Sequence, residues 1–139
     1  MLEGRVFAAS AAINSTSFLV AGGQGLHRFE LSSTELISLD GRVTQGPRLH
    51  FPVLCHCLVS INSTALLLIG GQSGRVFNTT FIMDTKIMKW IKGPELTLPR
   101  TCAACGVFAS PFHGGRTVVA VAGGANNDDV PSDTTEILD

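Results

Sequence analysis

The sequence predicts an all-β protein built from repeated four-stranded antiparallel units. Two adjacent glycines end an apolar run three times, at Gly22 and Gly23, Gly70 and Gly71, and Gly123 and Gly124; successive pairs lie 48 and then 53 residues apart. A Gly-Pro dipeptide occurs after each of the first two pairs, with a spacing of 47 residues. Self-similarity at this period indicates a repeat architecture in which each unit covers its neighbour.

The segments inside each unit have the composition of short strands. They are rich in Val, Ile, Leu, Phe and Thr and are bounded by Gly, Pro, Asn and Asp, which predicts strands joined by turns. We expect turns at Asn14-Ser15-Thr16 and at Asn62-Ser63-Thr64, and a tight hairpin at Asp40-Gly41. The predicted units span residues 1–48, 49–96 and 97–139, and the third ends before its fourth strand.

The glycine pairs have a physical explanation. Glycine has no Cβ, so it adopts φ > 0 at the end of a strand and lets a neighbouring backbone approach closely. The run before each pair is continuously apolar rather than alternating, which is typical of a strand buried on both faces. We therefore expect neighbouring units to crowd together at these positions.

The second unit carries further motif residues. Asp84, Trp90, Gly93-Pro94 and Arg100 follow its glycine pair, and with the period this pattern resembles kelch repeats, the blades of one kind of β-propeller. The first unit departs from that pattern, because Val43 stands in the Trp position and Val53 in the Arg position.

The resemblance implies an incomplete kelch β-propeller of four-stranded antiparallel blades. It also implies that Trp90 packs between the second and third blades and that Arg100 hydrogen-bonds between blades. The structural repeat motif would comprise Gly22, Gly23, Gly70, Gly71, Trp90, Arg100, Gly123 and Gly124.

Composition gives no support for several partner classes. Only 15% of residues are charged, against a usual share of about 25%. The net charge of −1 gives no electrostatic reason to expect nucleic acid or an anionic membrane surface. No apolar run approaches the roughly 18 residues of a membrane span, so no membrane insertion is expected, and charges at Glu3 and Arg5 argue against a signal peptide.

Further blades should cover the two terminal ones, so the isolated polypeptide is expected to self-associate or to fold only in part.

The four cysteines (Cys55, Cys57, Cys102 and Cys105) fit no usual zinc spacing. Buried structural thiols are the favoured interpretation, ahead of a disulfide and of a metal site. No metal and no cofactor is therefore expected.

Three Asn-x-Ser/Thr sequons occur, at Asn14, Asn62 and Asn78. They predict glycosylation in a secreted or cell-surface protein, although Asn-Ser-Thr is also ordinary turn chemistry copied with the repeat. The compartment stays open, with an extracellular location slightly favoured over a cytoplasmic one.

No catalytic residues are predicted. The copper site of kelch-type propellers resembling galactose oxidase needs tyrosine, and the chain has none; its four histidines occupy different places in their units. The leading hypothesis is a non-catalytic protein–protein interaction module, because loops on a rigid scaffold concentrate recognition. Its partners would be an unidentified protein and further blades of the same propeller. The candidate contact residues follow the glycine pairs: Gln24, His27, Arg28, Arg75, Asn126, Asn127 and Asp128.

Two alternatives from other classes stay open. One is a fragment of a propeller enzyme, an oxidase or hydrolase whose catalytic residues lie outside this chain. The other is an intracellular kelch-type substrate adaptor of a ubiquitin ligase, or a cytoskeletal scaffold.

Overall fold

The computed structural model describes all 139 residues, and it is all-β. Sheet 1 comprises β1 (Ala9–Asn14), β2 (Ser17–Ala21), β3 (Thr34–Ser38) and β4 (Val43–Gln45). Sheet 2 comprises β5 (Cys57–Asn62), β6 (Ala65–Ile69), β7 (Thr80–Asp84) and β8 (Lys89–Lys92). Sheet 3 comprises β9 (Ala104–Ala109), β10 (Thr117–Ala122) and β11 (Thr135–Leu138). The only helical segments are two short 3-10 turns, Leu26–Arg28 and Pro111–His113.

The prediction of antiparallel four-stranded units is confirmed. Every neighbouring pair of strands within a sheet is antiparallel, and the third sheet has three strands. The sheets do not close into a barrel. None of the helical segments has the length and hydrophobicity that a membrane crossing requires.

The predicted turns form where the sequence placed them. The side-chain oxygen of Asn14 accepts the Thr16 N–H at 2.9 Å, and that of Asn62 accepts the Thr64 N–H at 2.8 Å. Each Asn thus replaces a backbone acceptor inside a tight turn. At the β3–β4 hairpin Gly41 takes φ +93°, as the Asp-Gly dipeptide predicts.

All six residues of the glycine pairs have positive φ. The carbonyl of Val53, in the connection to sheet 2, accepts the Gly23 N–H at 2.8 Å. The carbonyl of Arg100, in the connection to sheet 3, accepts the Gly71 N–H at the same distance. A Cβ atom at Gly22 or Gly70 would collide with these two carbonyls, so the glycines are required where one unit receives the next.

Neighbouring sheets pack through opposite faces. One face of sheet 2, with Leu66 and Leu68, packs on Leu19 and Ala21 of sheet 1. The other face of sheet 2 packs on sheet 3 through Leu67, Ile69, Val119 and Val121. The β6 run is consequently buried on both sides, as its continuous hydrophobicity predicts.

Trp90 packs between sheets 1 and 2, so the prediction that it lies between the second and third units is wrong. It is paired with Met83 in the β7–β8 ladder, and both side chains belong to the face of sheet 2 that covers sheet 1. The indole N–H donates to the carbonyl oxygen of Pro47 at 2.9 Å. Trp90 therefore closes the boundary with the unit that precedes it.

The interpretation of all four cysteines as buried thiols is also wrong. Cys57 and Cys105 form a disulfide between sheets 2 and 3, with Cα atoms 6.2 Å apart, whereas Cys55 and Cys102 are free and Cys102 is exposed. The bridge can form because Cys57 lies on the face of sheet 2 that is turned toward sheet 3, and Cys105 lies on the face of sheet 3 that is turned toward sheet 2. Cys57 lies opposite Ile69 at the first rung of its ladder, and Cys105 lies opposite Val121 at the second rung of its own.

Arg100 makes its side-chain hydrogen bonds within sheet 3 and its loops, and only its backbone reaches sheet 2. Its guanidinium donates to the carboxylate of Glu136 at 3.0 Å and to the carbonyls of Gly123 at 2.7 Å and Thr134 at 3.1 Å. Its side chain is 1% exposed. The Arg100 side chain thus joins strand β11 to the connection that enters sheet 3. The hydrogen bonds between units that were expected of Arg100 come only from its backbone, so for the side chain that expectation is wrong.

The same ion pair occurs in sheet 1 and is replaced in sheet 2. Arg5 and Glu35 are joined at 2.7 Å, with side chains 1% and 3% exposed. At sheet 2 the corresponding positions hold Val53, in the connection that enters the sheet, and Phe81 of β7, and both belong to the apolar cluster between sheets 1 and 2. Burial alone would raise the pKa of Glu35, but hydrogen bonds from Arg5 and from two backbone N–H groups outweigh it and hold that pKa below its usual value.

Sheet 3 leaves its outer face open. Phe108 and Ile137, on the face turned away from sheet 2, are 56% and 50% exposed. The N–H of Gly124 has no backbone acceptor, although Gly23 and Gly71 at the same repeat position donate to the next unit.

Candidate functional site

The loop that follows each glycine pair is fixed by the same three-stranded pairing. Gln24 pairs with Val6 and Glu30 around loop 1 (residues 24–30). Gln72 pairs in the same way around loop 2 (residues 72–76), and Ala125 around loop 3 (residues 125–131). Since the pairing repeats, all three loops leave their sheets at the same edge. We call this surface, made of loops 1, 2 and 3, the loop edge.

The three loops contact one another. The Ser73 hydroxyl of loop 2 donates to the carboxylate of Glu30 in loop 1. The side-chain oxygen of Asn127 in loop 3 accepts the backbone N–H of Val76 in loop 2 at 2.7 Å. These bonds join loops from three sheets into one surface rather than three separate projections.

An open depression of about 260 Å³ lies between the loops. It is lined by Glu30 of loop 1, by Gln72, Gly74, Arg75 and Val76 of loop 2, and by Asn126, Asn127 and Asp129 of loop 3. Three of the predicted contact residues, Arg75, Asn126 and Asn127, are therefore brought together here.

The remaining predicted contact residues lie elsewhere on the loop edge. Gln24 lines a neighbouring depression with Arg5 and Leu26, and Asp128 lines one between loop 3 and the connection to sheet 3. His27 and Arg28 are exposed at the tip of loop 1, where both take positive φ. The structure places none of these four at the central depression.

The predicted residues differ in what their side chains already do. The side-chain oxygen of Asn126 accepts two backbone N–H groups of its own loop, at 2.9 and 3.1 Å, so Asn126 shapes the loop. Arg75 is exposed and lies over the ring of Phe77, 5.5 Å from its centroid. That stacking orients the guanidinium without using its hydrogen-bond donors, which leaves Arg75 able to bind a partner.

Two apolar residues of loop 1 were not predicted. Leu26 and Phe29 flank His27 and Arg28 and are 79% and 70% exposed. Their signal was present in the sequence, because GLHRFE places large apolar residues in a segment that can belong to neither face of a strand. Together the four residues form an exposed tip with apolar and basic character.

The histidines do not assemble a site. His113 exchanges a hydrogen bond with Ser110 at 2.8 Å, and His50 packs against Phe81 with ring centroids 5.2 Å apart. His27 lies on the tip of loop 1 and His56 lies in the interior. No three His, Cys, Asp or Glu side chains are grouped as metal ligands.

In the folded chain, the His56 side chain packs between the first and the second glycine pair. It is 8% exposed, and neither ring nitrogen has a hydrogen-bond partner. A Cβ added at Gly22 would meet the ring, and one added at Gly71 would meet the Cβ of His56. Burial lowers the pKa of His56 to about 4, because the interior disfavours the imidazolium form.

This burial predicts a pH dependence of stability. Since the unfolded chain binds the His56 proton near pH 6.5 and the folded chain near 4, stability is lost as pH falls between those values. The difference corresponds to about 3 kcal/mol, at ~1.4 kcal/mol per pKa unit. Denaturant titrations at pH 7 and pH 4 measure it, with His56→Leu as the comparison. An equal loss in both proteins would show that His56 is not the cause.

Comparison with known proteins gives no relative for this chain: no protein-family model matches it, and no curated protein does.

Proposed function

We propose that this chain is part of a kelch-type β-propeller and acts as a non-catalytic protein–protein interaction module that binds through its loop edge. The observation that carries the proposal is the joining of three loops from three sheets by side-chain hydrogen bonds. A surface fixed in this way loses little conformational freedom on binding, which favours recognition.

The composition of the loop edge supports a protein partner. Arginine and aromatic residues dominate the energetics of protein interfaces, and the loop edge exposes Arg28, Phe29 and Arg75. Its charges have both signs, because Glu30, Asp128 and Asp129 lie among the basic groups. Such a mixture suits a protein surface better than a polyanion.

A site-directed cross-linking experiment tests this proposal. A photoreactive phenylalanine analogue is introduced at Phe29 on loop 1 or, as a control, at Phe112, which is 93% exposed in the β9–β10 connection at the opposite edge. We expect a discrete cross-linked protein from position 29 and none from position 112. Arg75→Ala should reduce the yield at position 29 at least several-fold. Equal cross-linking at the two positions would refute the loop edge as the contact surface.

The sequons support an extracellular glycoprotein. Asn14 and Asn62 are exposed in turns at the edge opposite the loops, so glycans there would leave the loop edge free. Asn78 differs, because its side-chain nitrogen donates to the Leu96 carbonyl at 3.3 Å. Peptide mapping after expression of the full-length protein in a secretory pathway should find glycans at Asn14 and Asn62 and none at Asn78. Unmodified Asn14 and Asn62 would instead favour the intracellular adaptor.

A further inference from the structure

Two cysteines outside the disulfide occupy matching positions in neighbouring units. Cys55 lies in the connection that leads into sheet 2, and Cys102 lies in the connection that leads into sheet 3. Their φ angles are +53° and +54°. The backbone N–H of Cys102 donates to the carbonyl of Cys55 at 2.8 Å. The shared backbone conformation and the direct hydrogen bond bring the two side chains together at the boundary between sheets 2 and 3.

We propose that Cys55 and Cys102 are a reversible dithiol–disulfide pair that reacts with low-molecular-weight disulfides and adds a second covalent link between sheets 2 and 3. Disulfides span Cα separations of about 4.4–6.8 Å, which residues joined by a direct backbone hydrogen bond satisfy. Cys57 and Cys105 already show that the boundary accommodates such a link, two and three residues farther along the chain.

The two thiols have different roles in the reaction. Cys102 is exposed, whereas Cys55 is half-buried, and burial together with the neighbouring Cys102 thiol raises the pKa of Cys55 to about 11. Cys102 is therefore the attacking group, because the thiolate is the nucleophile and must reach the small disulfide. Cys55 is the resolving group.

The exchange proceeds in two balanced steps. The Cys102 thiolate, having lost its proton to solvent, attacks one sulfur of the disulfide RSSR; a Cys102–SR bond forms, the S–S bond breaks, and one RS⁻ leaves and takes up a proton. The sulfur of Cys55 then attacks the sulfur of Cys102 and displaces the second RS⁻, which takes up the Cys55 proton. The pair is oxidised by two electrons, and RSSR is reduced to two RSH.

The link would act on the loop edge through the chain. Cys55 directly follows Leu54, the residue that pairs with Gln72 of loop 2. Cys102 directly follows Thr101, which pairs with Ala125 of loop 3. Closing the pair fixes the bases of loops 2 and 3 relative to each other. The effect on partner binding rests on the proposed function, whereas the thiol chemistry does not.

Oxidised glutathione tests the chemistry in the full chain, with free thiols counted and intact mass measured. We expect the two free thiols of the wild-type chain to fall to zero with the loss of two hydrogen atoms and no bound glutathione. Cys55→Ser should stop at one glutathione on Cys102, and Cys102→Ser should stay unmodified at Cys55. Two bound glutathiones on the wild-type chain, two thiols that stay free, or an unmodified Cys55→Ser variant would overturn the proposal.

Two further measurements do not depend on those variants. Phenylarsine oxide is held only when two thiols reach one arsenic atom, so the reduced wild-type chain should bind one equivalent; no binding would contradict the paired geometry. In Cys57→Ser/Cys105→Ser, any disulfide between the two cysteine-containing peptides must join Cys55 to Cys102. We expect peptide mapping to find that link after oxidation. Its absence from a folded double variant would also refute the proposal.

Discussion

Replacing Arg100 by valine is expected to lower the free energy of unfolding by about 3–5 kcal/mol, because it leaves the carboxylate of Glu136 without its cation in a largely buried site. The change also removes donors from the carbonyls of Gly123 and Thr134. Circular dichroism during denaturant titration measures the loss.

A second substitution, suggested by another part of the same chain, should restore much of the lost stability. Val53 and Phe81 occupy at sheet 2 the positions that Arg100 and Glu136 occupy at sheet 3, so Arg100→Val/Glu136→Phe copies a combination that already packs in this fold. We expect the double variant to recover at least half of the loss, since an apolar pair replaces an ion pair without leaving a buried charge.

An exposed ion pair provides the control. Lys92 and Glu95 are joined at 2.6 Å, but their side chains are 62% and 48% exposed, so Lys92→Ala should cost under about 1 kcal/mol. If Arg100→Val costs no more than Lys92→Ala, the pair with Glu136 does not matter for stability. A double variant as unstable as the sum of its single changes would show that the second unit is no guide to the third.

Trp90→Ala should cost about 3–5 kcal/mol, the usual range for truncating a large aromatic side chain in a core. Trp90 is 4% exposed, and its loss leaves a cavity between sheets 1 and 2. It also removes one of the two donors to the Pro47 carbonyl, the other being the Thr34 hydroxyl. Because Trp90 is the only tryptophan, the comparison uses circular dichroism rather than tryptophan fluorescence.

Two variants separate the contributions of Trp90. Trp90→Phe keeps an aromatic ring but loses the hydrogen bond to Pro47, so we expect a smaller loss than for alanine. Ile87→Ala removes a side chain that is 66% exposed in the turn between β7 and β8 and should change stability little. A loss below about 1 kcal/mol for Trp90→Ala would contradict the packing of this residue between the two sheets.

The sequence was sufficient for the strands and their order because those depend on local patterns. Glycine pairs, Asn-Ser-Thr turns and the Asp-Gly hairpin mark strand ends, and the three-stranded third sheet follows from the same period. The prediction that Val43 stands in the first unit where Trp90 stands in the second is also confirmed. Val43 is paired with Ile37 in the β3–β4 ladder, just as Trp90 is paired with Met83 in the β7–β8 ladder.

The face of each strand could not be read in the same way. In β6 both faces are apolar, so alternation does not reveal which face meets which neighbour. Trp90 was consequently assigned to the wrong boundary. The same difficulty concealed the bridge between Cys57 and Cys105, because their positions in the two units differ by one rung, whereas Cys55 and Cys102 match.

The sequence predicted the positions of the three loops but not the contacts that their side chains make. The glycine pairs located all three loops, and Arg75, Asn126 and Asn127 do meet. The sequence could not show that Asn126 is already engaged by its own loop, since hydrogen bonds inside a loop depend on its conformation. Leu26 and Phe29 were missed because exposure of an apolar side chain is decided by tertiary packing.

The exchange of Arg and Glu for Val and Phe constrains how such repeats diverge after duplication. If the glutamate of an ancestral unit changes first, the arginine still keeps carbonyl and hydroxyl acceptors, as Arg100 has in Gly123, Ser132 and Thr134. If the arginine changes first, the carboxylate keeps only backbone donors, as Glu136 would with Thr97 and Leu98. A unit that loses the acid before the base therefore keeps more of its hydrogen bonds than a unit that loses the base first.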